Sequence, residues 1–109
     1  MKEHHTFEKE THDTLDLRLR LSLQRALLDA VPPNMIAVTG KIEADLITIH
    51  VFFDGTVTDV EKEIVSIIGA EVIADFSAPI MIEEKCYSLT ENPLNALDFW
   101  AFVRMQKRP

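Results

Sequence analysis

Two places in this sequence carry the residue types of general acid–base chemistry: His50, inside an apolar run, and the paired carboxylates Glu83-Glu84. Such groups transfer protons well when their surroundings bring the pKa toward the working pH. Ile80, Ile82 and Cys86 share a strand parity that carries Glu84 inward, where desolvation would raise its pKa. The plainer alternatives are a bulge that turns Glu84 out, or an edge strand whose charges discourage aggregation. His50 falls at the polar parity of its run, beside Thr48, which suits a half-buried strand histidine as well as an acid/base group. Cys86 has no histidine at a recognisable local spacing and reads as a small apolar filler rather than a nucleophile.

Metal and cofactor chemistry find little to use. His4, His5 and His12 are close in sequence, but a metal site needs ligands held in fixed geometry, and here only glutamates accompany them. They read as solvated tail residues, so no metal is expected. The single cysteine excludes an internal disulfide framework and a Cys-based zinc ribbon. No Gly-Xaa-Ser-Xaa-Gly elbow, P-loop, dinucleotide fingerprint or His-Glu-Xaa-Xaa-His occurs. With only three glycines in the chain, a phosphate-cradling loop has little material, and no cofactor is expected.

The elements that must position these residues follow from periodicity and punctuation. Leucines at 15, 17, 19, 21 and 23 have a period of two and could mark a strand. The competing stripe Leu19, Leu23, Ala26, Leu27, Ala30 is helical, with good helix formers between. We favour a helix that starts between Asp13 and Ser22 and ends at about Val31, ahead of Pro32-Pro33. Met35 to Ile42 and Leu46 to Phe53 read as strands, the first placing Ile36, Val38 and Ile42 on one side. The link Glu43-Ala44-Asp45 suits a hairpin, and Asp54-Gly55 marks a turn. Thr58-Asp59-Val60-Glu61 is a capping box opening a second helix, with an apolar stripe of Val60, Ile64, Ile67, Ile68, Val72 and Phe76. Strands over Ile80 to Leu89 and from Leu97 or Asp98 to about Met105 complete the series, joined by a loop that contains Asn92-Pro93.

The order helix, strand, strand, helix, strand, strand makes each half a helix followed by a hairpin. A rough duplication is conceivable but too thin to count as a repeat. The simplest burial is an α+β two-layer sandwich, a four-stranded, mostly antiparallel sheet with both helices on one face. Residues 1–12 form a polar N-terminal tail, 13–105 a single domain and 106–109 a short basic tail. That is one domain at most for 109 residues. No apolar run approaches a membrane span and no signal peptide is present, so a cytoplasmic location is expected.

Charge separates the remaining classes of function. The chain carries 18 acids against 11 bases, a net charge of −7. Nucleic-acid and anionic-membrane binding need a basic footprint and are not expected. Between Ile42 and Asp98 only Lys62 and Lys85 stand against twelve acids. A field of one sign steers a basic partner into encounter, and ordinary solubility charge is the alternative. If the helices cover Ile47, Ile49 and Val51, the opposite face exposes Thr48, His50 and Phe52. Trp100 and Phe102 share a parity, and Tyr87 could join them. Aromatics on an uncovered face suit a partner or a second copy of the chain.

The segments Ser22-Leu-Gln-Arg-Ala-Leu-Leu28, Val31-Pro-Pro-Asn34, Phe53-Asp-Gly55 and Glu71-Val-Ile-Ala-Asp-Phe76 resemble those of a family of small acidic bacterial α/β proteins. Similar proteins serve as immunity proteins of contact-dependent and other polymorphic toxin systems, and the resemblance covers roughly residues 19 to 105. It implies a non-catalytic protein that binds a cognate toxin domain, without supplying binding residues. The residues expected at such an interface are Asp54, Asp59, Glu63, Asp75 and Glu83, with Tyr87 or Trp100 as aromatic anchor. The toxin would be basic, as nucleases commonly are. Two alternatives stand beside it: a small enzyme or ligand-binding domain using His50 and Glu84, and a homodimer formed through the aromatic sheet face.

Overall fold

The computed structural model describes residues 11–28, 30–77, 79–89 and 95–104. The expectations for His4 and His5, for Asn92-Pro93 and for the basic tail lie outside the described residues. The elements run α1 (His12–Leu27), β1 (Met35–Glu43), β2 (Leu46–Phe53), α2 (Asp59–Ile73), β3 (Met81–Ser88) and β4 (Phe99–Val103). The α+β order is as the periodicities imply.

Thr11 starts α1 by accepting a hydrogen bond from the Thr14 amide at 3.1 Å, and Asp13 suits the positive end of the helix dipole. His12, expected in the tail, is the first helical residue, and its Nε2 lies 3.1 Å from the Ile42 carbonyl oxygen. The alternating leucines resolve by helical geometry: Leu19 and Leu23 are fully buried, whereas Leu17 and Leu21 are exposed. The helix stops at Leu27, short of Val31, with Leu28 as its C-cap.

At the start of α2 the capping box is complete. Thr58 Oγ1 accepts from the Glu61 amide at 3.3 Å and Glu61 Oε1 accepts from the Thr58 amide at 2.8 Å. Glu61 Oε2 also accepts from Asn34 Nδ2, which ties the start of the helix to the entry of β1. That third bond explains why a glutamate is buried here. The expected apolar stripe shifts accordingly. Val65, Ile68, Gly69 and Val72 face the core with Glu61, while Val60 and Ile67 are exposed.

The sheet order is β3-β2-β1-β4. The β1–β2 hairpin is tight: its two-residue loop, Ala44-Asp45, has Ala44 at φ +56°. The second half of the chain is not a hairpin. Strand β3 pairs parallel to β2, and β4 pairs antiparallel to β1 on the opposite edge. Helix α2 supplies the crossover that a parallel pair requires.

Both helices pack on one face, where Leu19, Leu23, Val65, Ile68 and Val72 meet Val38, Ile42, Ile47, Ile49, Val51 and Phe53. Two bulges change the expected parity of the strands. Pairing steps from Met35–Phe53 to Ala37–Phe52, so Ile36 leaves the face of Val38 and Ile42. It joins Ala37 and Phe52 in a small second cluster, with Tyr87 and Leu89 against it. On β4, pairing steps from Val38–Phe102 to Thr39–Trp100. Phe102 therefore packs on the helical side while Trp100 lies on the other, and the two do not share a face.

Candidate protein-binding surface

The register does not bring His50 and Glu84 together. His50 pairs with Lys85 and Ile49 pairs with Glu84, so His50 and Glu84 point to opposite faces of the sheet. Glu84 turns toward the helices, as its parity implies, and lies against Gly69 of α2. Burial there holds its pKa above the ordinary carboxylate value. His50 lies on the far face, edge-on to Tyr87 at 5.0 Å. Its pKa is lowered, first by burial and then by Lys85 and Lys41, with Glu83 opposing. Burial also raises the Cys86 thiol, which disfavours a thiolate. Among the described residues, no group of three or more His, Cys, Asp or Glu could hold a metal ion.

The far face is not the open aromatic surface that strand parity implies. Phe52 is 2% exposed and Thr48 is buried. Phe52 stacks on Tyr87 at 5.2 Å and Tyr87 is half-buried. Trp100 remains exposed, but on β4, at the opposite edge of the sheet from Tyr87. Thr39 is buried here too, donating to the Phe99 carbonyl at 2.6 Å and accepting from the Leu97 amide at 2.7 Å.

The acids expected at an interface divide into three groups. Asp54, Asp59 and Glu63 come together around the turn after β2 and the first two turns of α2. Asp75 lies beyond the other end of α2, roughly 24 Å along the helix from Asp59 at 1.5 Å per residue. Its Oδ2 accepts from Ser22 at 2.5 Å and from Arg25, so it links the two helices. Glu83 is on the far face of edge strand β3, 3.8 Å from Lys85.

Ion pairing sorts the same residues differently. The chain supplies a base to Asp16 (Arg20), Glu43 (Lys41), Asp54 (Arg104), Asp75 (Arg25) and Glu83 (Lys85). Asp59, Glu63 and Glu71, all exposed on α2, have no such partner among the described residues. Asp59 is explained by the helix dipole, and Glu63 has no structural role in the fold. Glu71 sits in a last turn that has no basic residue, where the dipole disfavours a negative charge by about 0.3–1 kcal/mol.

Glu71 also borders an open groove of about 380 Å³ between the helices, lined by Arg25, Ala26, Ala30, Val31, Pro32, Ile64 and Ile67. Val60, Ile64, Ile67 and Glu71 succeed one another at steps of four, three and four, so they form one stripe along α2. Ile67 is 50% exposed and Val60 is 68% exposed. Sequence reasoning placed this stripe in the core and did not single out Glu71. The signal was nonetheless there: apolar residues at 60, 64, 65, 67, 68 and 72 cover more of a helix than one buried face needs.

Comparison with protein families finds a match over residues 16–106 to the family described as MafI2 immunity protein. The matched span includes all four strands, α2 and most of α1. No curated protein matches the chain.

Proposed function

This chain belongs to the MafI2 immunity protein family, and from that membership we propose that it neutralises a cognate toxin domain by binding it, without catalysis, through the acidic outer face of α2. The partner is a basic domain, of the kind that binds phosphate backbones. The site of action is the cytoplasm, where such a toxin meets its substrate. The observation that carries this reading is where the unpaired charge is grouped: among the described residues Asp54, Asp75 and Glu83 each have a base of the chain beside them, whereas Asp59, Glu63 and Glu71 stand without one together on α2. An unpaired acidic rim beside exposed apolar side chains has the make-up of a protein interface. The field steers encounter and the apolar part supplies residence time. The placement of His50 and Glu84 on opposite faces of the sheet supports the non-catalytic reading.

The test is native pull-down of the tagged chain from its host, with mass spectrometry of what accompanies it. A stoichiometric basic toxin domain, whose toxicity the chain suppresses on co-expression, is the expected result. Recovery of the chain alone would overturn the proposal.

A further inference from the structure

The geometry points to the groove between α1 and α2 as the seat of an apolar anchor side chain of the toxin, carried on a segment rich in Lys or Arg. The inference rests on the immunity reading above and adds to it the chemistry of the contact. The lining of the groove is mostly apolar, with Ala26, Ala30, Ile64 and Ile67 among it, and its two charged side chains are Arg25, already paired with Asp75, and Glu71. A small polar ligand needs a few convergent polar groups to fix its orientation, and this groove offers one unpaired group, Glu71.

The apolar surface also runs past the end of the groove. From Ile67 it continues along the stripe to Val60, roughly 10 Å away at the helical rise, with Val31 exposed on the other wall. A surface of that length fits a polypeptide segment rather than one small molecule. Charge complementarity gives the segment its sign. Glu71 stands beside the groove, and Glu63 and Asp59 stand next to the stripe, so bases flanking the anchor meet unpaired carboxylates. Lys62, the base nearest in sequence, is two residues from both Val60 and Ile64, which at helical spacing puts it on the other side of α2 from the stripe.

The experiment uses the cognate toxin domain, inactivated in its own active site, against the full chain. Ile67→Glu and Val60→Glu alter exposed positions and should leave the circular dichroism spectrum unchanged. Each should weaken binding at least tenfold, Glu71→Lys should weaken it and flatten its salt dependence, and Trp100→Ala on the far face should leave it unchanged. If wild type binds and both glutamate variants bind equally well, the groove is not the seat and the inference fails while the immunity reading stands. If wild type does not bind, both fail. A dimer of the chain that Ile67→Glu dissociates, seen by light scattering, would assign the groove to a second copy and overturn the inference.

Discussion

The Glu84 carboxylate occupies the space that a side chain at Gly69 would need: a Cβ there would fall 1.5 Å from Oε2 and 2.5 Å from Cδ. A side chain at this position would therefore require the flexible end of Glu84 to move aside. The close approach desolvates the carboxylate and raises its pKa. A raised folded-state pKa means that the native state holds the proton longer than the unfolded chain. Stability from this group is full below the unfolded pKa and is lost as pH rises through the folded one. Glu84→Gln, a neutral isostere, should be more stable than wild type at neutral pH and equal to it at acid pH. Urea denaturation across that range checks this, and a gap that widens toward acid would refute it.

His50 should titrate with the opposite sense. Its folded pKa is depressed, so its contribution to stability is present above the ordinary histidine value and lost as pH falls through the folded one. Because Glu83 is the group that raises the pKa and Lys85 one that lowers it, Glu83→Gln should lower it further and Lys85→Ala should bring it up. Proton NMR of the imidazole reads both shifts directly.

Asp75 holds the helices together through Ser22 and Arg25. The Arg25 pair is largely exposed and contributes little, about 0–1 kcal/mol. The bond from the buried Ser22 to a carboxylate is the stronger part, about 1.5–3 kcal/mol. Asp75→Ala should therefore destabilise the fold more than Arg25→Ala does, by thermal or chemical denaturation. Equal losses would place the link in the ion pair instead.

Ala44 takes a left-handed backbone at φ +56°, where an L side chain is strained and glycine is not. Ala44→Gly should stabilise the hairpin by about 1 kcal/mol, seen as a rise in denaturation midpoint. No gain would mean that the turn relaxes at little cost.

Reversing Asp59 and Glu63 to lysine should slow association with the toxin domain and reduce its salt dependence. The folded signal should survive, apart from a loss at the helix start of about 0.3–1 kcal/mol. Stopped-flow rates at two salt concentrations decide it, and unchanged rates at low salt would remove electrostatic steering.

What the sequence made legible was local. The capping box at Thr58 and Glu61, the hairpin around Ala44 and the inward parity of Glu84 all depend on neighbours a few residues apart. What it hid was set by distant pairing. The bulges at Ile36 and Ala101 reverse a face by one residue, and they exist because β1 must match β2 on one side and β4 on the other. The position of β3 beside β2 depends on where α2 lands, which periodicity does not record. At the candidate surface, an apolar stripe reads as core from sequence. Only the roll of α2, fixed by Glu61 reaching Asn34, shows that Val60 and Ile67 face outward.

The strand order also decides what a chain cut short after β3 would expose. With residues 99–103 removed, β1, β2 and β3 and both helices are all present, but the ladder of β1 that pairs with β4 is left open. Such a chain carries a bare, mostly apolar edge of the kind that recruits other strands. Truncation between β3 and β4 should therefore yield a sticky species rather than a smaller working protein.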